Sequence, residues 1–180
     1  MVYVLLGTGF EETEAIVPVD LLRRAGVSVL TVGVDGKLVT GGHGITVQAD
    51  IEIGELDLTA LEMIVLPGGL GGVATARKSQ AALDALKFAW ENEKYVAAIC
   101  AGPTVLADLG ITDGKMATCY PGFESVMGNA RMVSDAACVQ DGLLITGTSA
   151  GTAVSFGLRL VEAMKGAEKA AEIANQIVIR

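Results

Sequence analysis

The sequence predicts an α/β domain built on a mostly parallel sheet covered by helices on both faces. Three observations carry this. Short runs rich in Val, Ile and Leu alternate with stretches of helical periodicity along the whole chain, the pattern of repeated β–α units. The strand-like runs are apolar throughout, as strands buried on two faces are, where a half-exposed strand would alternate with polar residues. The length of 180 residues, 51% of them hydrophobic, suits one domain spanning the chain with a sizeable core, needing no disulfide or metal staple. Aromatic residues are only 4%, so that core is aliphatic.

Each element has its own signal. Val2–Leu6 is an apolar strand ending at Gly7. Residues 11–25 carry helical spacing through Ala15, Ile16, Val19, Leu22 and Ala25, with a stop at Gly26 and an expected kink at Pro18. Val27–Val34 reads as a buried strand closed by the turn pair Asp35-Gly36. Residues 37–40 and 45–49 flank the run Gly41-Gly42-His43-Gly44 as a small β-excursion. Met63–Leu66 is a strand running into a glycine-rich loop from Pro67 to Gly72. Ser79 caps a helix reaching about Lys94. A strand over 96–99 leads into a helix over 101–109, and 115–119 is a further strand. Short strands over 130–133, 136–140 and 143–146 follow, and helices over 152–164 and 168–177 close the chain. In such sheets the working site lies beyond the carboxyl ends of the strands. That singles out the loops over 7–14 and 67–72 and the stretch from Cys100 onward.

Charge and composition exclude several classes. Thirteen basic against 21 acidic residues give a net charge of −8, which repels phosphate backbones, so no specific nucleic-acid binding is expected. No apolar run approaches roughly 18 residues, so no membrane association is expected. The start, Met1 to Gly7, reads as a first strand and not as a signal peptide. Three unclustered cysteines without CxxC spacing predict a reducing, cytoplasmic setting. His43 is the single histidine. A histidine-rich metal site is thereby excluded, and neither metal nor cofactor is expected.

The sharpest chemical signal is Val96-Ala97-Ala98-Ile99-Cys100-Ala101-Gly102-Pro103. A strand ends, a nucleophilic residue follows, and a helix begins at once. Small residues two positions either side of Cys100 are what a strained nucleophile elbow needs, because bulky ones would clash in the turn. The helix N-terminus is expected to favour thiolate and to depress the Cys100 pKa. Pro67-Gly68-Gly69 follows a strand and could present bare amides to a developing oxyanion, although taken by itself an ordinary glycine turn is the better reading. Glu11, Glu12 and Glu14 are ordinary complements of a helix dipole unless one of them lies beside Cys100. His43, in a glycine-rich turn, reads as a surface or interface residue. Cys138 reads as packing, whereas Cys119 leaves packing and a second redox thiol as alternatives. The run from Gly147 to Thr152 lacks the lysine of a phosphate loop and reads as a helix cap.

Taken together these motifs resemble the ThiJ/PfpI superfamily, in the branch of the parkinsonism-associated protein and its bacterial deglycase-like relatives. The resemblance rests on Glu11-Glu12-Thr13-Glu14 with Pro18-Val19-Asp20 and Arg23-Arg24-Ala25-Gly26. It continues through Leu66-Pro67-Gly68-Gly69, Ala97 to Pro103, Asp141-Gly142-Leu143 and the Gly151-Thr152 helix start. It implies a flavodoxin-like three-layer sandwich and a homodimer. Cys100 corresponds to the family's oxidisable cysteine, Glu14 to the glutamate that hydrogen-bonds that sulfur, and Gly69 to a nearby backbone amide. Arg24 falls near the implied dimer contact. The implied chemistry acts on small aldehydes such as methylglyoxal, or on early glycated adducts. Cys100 would add to the aldehyde, Glu14 would shuttle a proton, and amides of Gly69 and Ala101 would steady the oxyanion. The alternative is a redox sensor or chaperone with no efficient turnover. Two departures matter. Ala101 stands where peptidase-like members have histidine, which argues against a peptidase. Tyr120 stands before Pro121 where the parkinsonism-associated protein has histidine, which removes a histidine proton shuttle.

Overall fold

A computed structural model describes residues 1–179. In chain order it contains β1 (Val2–Leu6), α1 (Glu12–Arg24), β2 (Val29–Gly33), β3 (Leu38–Thr40), β4 (Thr46–Gln48) and β5 (Ile51–Glu52). These are followed by β6 (Met63–Leu66), α2 (Leu70–Lys78), α3 (Gln80–Glu91), β7 (Tyr95–Ile99) and α4 (Pro103–Asp108). Then come β8 (Met116–Ala117), β9 (Arg131–Met132), β10 (Cys138–Asp141), β11 (Leu144–Gly147), α5 (Ala153–Lys165) and α6 (Ala167–Gln176). Seven strands form one sheet in the order β10-β11-β7-β6-β1-β2-β5. Every pairing is parallel except that of the edge strand β10 with β11. This is the expected flavodoxin-like α/β sandwich.

The period of two along each strand divides the core between the faces. Val2, Val4 and Leu6 of β1 and Ala97 and Ile99 of β7 pack with Leu22, Phe156, Leu160 and Ile173 under α1, α5 and α6. Tyr3, Leu5, Val96 and Ala98 pack with Val73, Leu86 and Val105 under α2, α3 and α4. A one-residue slip of either strand would exchange these sets. Helix α1 continues through Pro18 as one element. The Ser79 side chain accepts from the Ala82 amide at 3.3 Å, as its position before α3 predicts.

The structure corrects the sequence reading in several places. The loop expected over 67–72 is already helix from Leu70, because α2 starts with Gly71 and Gly72 in its first turn. Those residues are poor helix formers and hid the element. Glycine is required at 72, since a Cβ there would lie 2.7 Å from the Phe10 Cα. The first turn of α2 therefore seats directly on the loop after β1. The helix expected from 101 begins at Pro103, leaving Ala101 and Gly102 in the turn. The strand expected over 115–119 shrinks to β8, which pairs with β9 in a separate two-stranded sheet. The two-residue edge strand β5 carried too little pattern to be seen.

Chain order leaves β1 flanked by β2 on one side and β6 on the other, so the connections run in opposite directions from it. Such a switch point opens a crevice above the strand ends, here shared by β1, β6 and β7.

Candidate active site

Cys100 sits directly after β7 with φ +64°, a left-handed conformation that a non-glycine residue adopts only under constraint. The constraint is visible. Its amide donates to the Gly147 carbonyl at 3.0 Å, its carbonyl accepts from the Tyr120 amide at 2.9 Å, and the Gly102 amide returns to the Ile99 carbonyl at 2.9 Å. Gly102 allows this sharp return, because a Cβ would come 2.6 Å from the Leu66 carbonyl oxygen. This is the nucleophile elbow that the small residues around Cys100 predict.

Glu14 reaches the same point from the first turn of α1. It is fully buried, and the Gly68 amide donates to its Oε2 at 2.9 Å. Among the described residues its Oε1 has no hydrogen-bond partner of sound geometry. Gly68 lies between the carboxylate and the cysteine. A Cβ on Gly68 would collide with Glu14 and sit 2.7 Å from the Cys100 Cβ. The Glu11 amide donates to the Gly68 carbonyl at 3.0 Å and ties the two loops together.

Burial pushes the Glu14 carboxyl up to about 7, with the charge of Glu11 adding to it and the Cys100 thiol and Gly68 amide opposing. Burial, followed by the Glu14 charge, pushes the Cys100 thiol up to about 12, against the pull of the Ala101 and Gly69 amides. The depressed Cys100 pKa expected from the sequence is therefore corrected. The helix N-terminus and the two amides act in the expected direction, but a half-buried sulfur beside a carboxylate outweighs them. Between about 7 and about 12 the pair holds one proton, and Glu14 is the base nearest the thiol that can take it.

A cavity of about 290 Å³ opens over the sulfur. Cys100, Ala101 and Gly69 line it together with Glu11, Tyr120 and the apolar walls Leu70 and Phe123. Six of the residues singled out in the sequence thus converge: Cys100, Glu14, Gly68, Gly69, Ala101 and Tyr120. The amide of Gly68 is occupied by Glu14, so the amides turned toward the sulfur are those of Gly69 and Ala101. Leu70 and Phe123 were missed, and their only sequence signal was adjacency to the Pro67-Gly68-Gly69 and Tyr120-Pro121-Gly122 turns.

Two candidates lie elsewhere. Arg24 is exposed at the end of α1 and pairs with Asp20 one turn back at 2.7 Å. His43 projects from the β3–β4 loop. Its Nδ1 is 2.8 Å from a Glu12 carboxylate oxygen and 3.5 Å from Glu11. Burial works against charge on Glu12, but bonds from the His43 ring and from the His43 and Ile45 amides hold it down at about 2. These carboxylates raise the His43 pKa in turn. Glu12 therefore anchors the β3–β4 loop, a role beyond the dipole complement expected of it. Glu11, Glu12 and His43 place one ligand atom each within 4.8 Å of one another, but the Glu12 oxygens are already engaged by this loop.

The other thiols differ from Cys100. Cys119 is buried, and burial and Glu124 push it up to about 11. Burial pushes Cys138 up to about 11 as well, with Arg159 opposing. Neither contributes to the cavity over Cys100. No helix among the described residues is long and apolar enough to cross a membrane.

Comparison with known proteins agrees with this architecture. The chain is 36% identical to protein dj-1beta of Drosophila melanogaster over 178 residues, covering 98% of this chain and 95% of that protein. It is 32% identical to a protein of Pyrococcus abyssi named a deglycase, over 165 residues, covering 91% of this chain and 99% of that one. The crystal structure of Drosophila DJ-1beta superposes with a TM-score of 0.95, covering 99% and 97% of the two chains. The solved structure of oxidized Toxoplasma gondii DJ-1 superposes with a TM-score of 0.93 at 32% identity, covering 98% and 97%. The model of the DJ-1/PfpI family matches residues 1–163. A chain matched over most of its length by that model, and folded as its relatives are, belongs to the DJ-1/PfpI family.

Proposed function

We propose that the protein is a cysteine-dependent enzyme of carbonyl stress, acting without a cofactor on 2-oxoaldehydes of the methylglyoxal type or on their early adducts. The observation that carries this reading is the pairing of a strained, cavity-facing Cys100 with a buried Glu14 whose pKa lies near neutrality. A carboxyl so placed serves as both base and acid at physiological pH. Glu14 takes the thiol proton as sulfur adds to the aldehyde carbon and hands it to the carbonyl oxygen, giving a hemithioacetal and restoring the carboxylate. The Gly69 and Ala101 amides face that oxygen as charge develops. Glu14 then moves the C1 proton to C2 while the hydroxyl proton on the C1 oxygen passes to the C2 oxygen, which isomerises the adduct to a thioester of the 2-hydroxy acid without net oxidation. Water cleaves the S–C bond, releasing the acid and restoring the thiol. The deglycase name of the Pyrococcus relative supports this chemistry.

The test is release of 2-hydroxy acid from methylglyoxal by purified protein, with Cys100→Ala as control. Wild-type turnover that vanishes in the variant supports the reading, and turnover that persists in the variant overturns it.

A second reading rests on the same amides. With hydrogen peroxide as oxidant, Cys100 passes to sulfenic and then sulfinic acid, whose oxygens the Gly69 and Ala101 amides face, giving a sensor. One similar structure is described as oxidized. The homodimer also stands as a proposal, supported by exposed Ile16 on α1 and Ile45 beside the β3–β4 hairpin.

A further inference from the structure

A second cavity, of about 400 Å³, adjoins the one over Cys100 and shares Leu70, Ala101 and Phe123 with it. It adds Val73 and Val126, and it ends at Arg77, Thr104 and Asp108. Leu70 is 72% and Val126 54% exposed, a large apolar surface to leave in water in the lining of one groove. The polar groups at the far end are already partnered. Arg77 Nε donates to Asp108 at 2.7 Å, Arg77 Nη2 donates to the Thr104 hydroxyl at 2.7 Å, and that hydroxyl donates to the Ala101 carbonyl at 2.7 Å.

We infer that this groove binds the apolar tail of the substrate, so that Leu70, Phe123 and Val126 select 2-oxoaldehydes carrying an unbranched alkyl chain over methylglyoxal itself. The inference rests on the aldehyde reading of the Cys100 site and names the substrate class within it. Three features point to a hydrocarbon tail. The groove adjoins the cavity over the reactive sulfur and shares three lining residues with it, so a chain anchored at Cys100 has the groove as its neighbouring apolar surface. Its walls are aliphatic and aromatic. Its polar groups bond to one another, which leaves little to satisfy the amides of a peptide. Methylglyoxal occupies a small part of the first cavity and leaves the second wet. Each added methylene covers more of Leu70 and Val126, and the adduct gains affinity through apolar area removed from water.

The experiment measures the concentration of 2-oxopropanal or 2-oxooctanal that halves alkylation of Cys100 by iodoacetamide, read by peptide mass spectrometry. Each value is normalised to the same aldehyde protecting N-acetylcysteine, which removes differences in intrinsic electrophilicity. This readout needs only hemithioacetal formation, in which the S–C bond forms, the C=O π bond breaks and the thiol proton ends on oxygen. 2-Oxooctanal is expected to protect at about tenfold lower normalised concentration. Val126→Asp should reduce that advantage to threefold or less while leaving 2-oxopropanal unchanged, and Val126→Leu should keep it. Equal protection by both aldehydes, or a preference untouched by Val126→Asp, overturns the inference. Hydroxy-acid release is read in parallel. A chain-length preference without release supports the groove while the enzymatic reading fails, and release without preference does the reverse.

Discussion

Glu14 is a carboxyl that the fold holds at a cost. Its folded pKa of about 7 exceeds its ordinary value of 4.5 because burial penalises the charged form. A raised acid pKa leaves stability intact below pH 4.5 and removes it as pH rises through 7. Glu14→Gln keeps an oxygen for the Gly68 amide and carries no charge. It is therefore expected to be more stable than wild type at pH 8, by up to about 3 kcal/mol, and equal to it near pH 4. Denaturant titrations at the two pH values check this, and a constant difference would place the burial cost elsewhere. The same ionisation sets reactivity. Glu14 is a base only above its pKa, so the rate of hemithioacetal formation should rise with pH through an inflection near 7 and then level, and Glu14→Gln should lose that inflection. Cys100 carries strain of a different kind. At φ +64° glycine is unstrained whereas alanine bears the steric cost of its Cβ, so Cys100→Gly should be about 1 kcal/mol more stable than Cys100→Ala, although both lack the sulfur. Thermal unfolding of the two variants decides it, and the reverse order would mean the elbow is unstrained.

At the scale of elements, the site is assembled from three strand ends and the first turn of one helix. Strand β1 delivers the loop that leads to Glu14, β6 delivers Gly68 and Gly69, and β7 delivers Cys100. This much was legible in the sequence, because apolar runs ending in glycine or a nucleophile mark strand ends directly. What escaped had a physical reason. Helix α2 carries two glycines in its first turn, Gly71 dictated by the nearness of Gly9 and Gly72 by that of Phe10, so its propensity signal is inverted where its position matters most. The thiol pKa escaped because local reasoning sees the helix N-terminus, whereas the carboxylate that opposes it arrives from 86 positions earlier in the chain. Glu12 escaped because its partners, His43 and Ile45, lie across a hairpin that pattern alone does not orient. Glu12→Gln removes the charge that favours protonated His43, so the His43 pKa should fall toward its ordinary value, and the His43 and Ile45 amides should exchange faster. Proton NMR of the single histidine and hydrogen exchange would show it. An unchanged His43 titration would mean that Glu11 alone sets it.

At the scale of the molecule, the fold was legible because it follows from the order of strands and helices. The cavity beside the site was not, because Leu70 comes from α2 whereas Phe123 and Val126 come from the segment after β8, which no local pattern brings together. The proposed dimer belongs to this scale. Wild type should sediment as a dimer at micromolar concentration and Ile16→Asp as a monomer, and a monomeric wild type would leave exposed Ile16 without its role.

The central claim is that Cys100 supplies the bond to the aldehyde and Glu14 moves the protons that follow. Single-turnover reaction with methylglyoxal tests it most directly, following the mass of the Cys100 adduct and the release of 2-hydroxy acid separately in wild type and Glu14→Gln. Wild type should form the adduct and release the acid, whereas Glu14→Gln should form the adduct and release none. Full release by Glu14→Gln would contradict the account and move the proton relay to another group lining the cavity, with Tyr120 the next candidate.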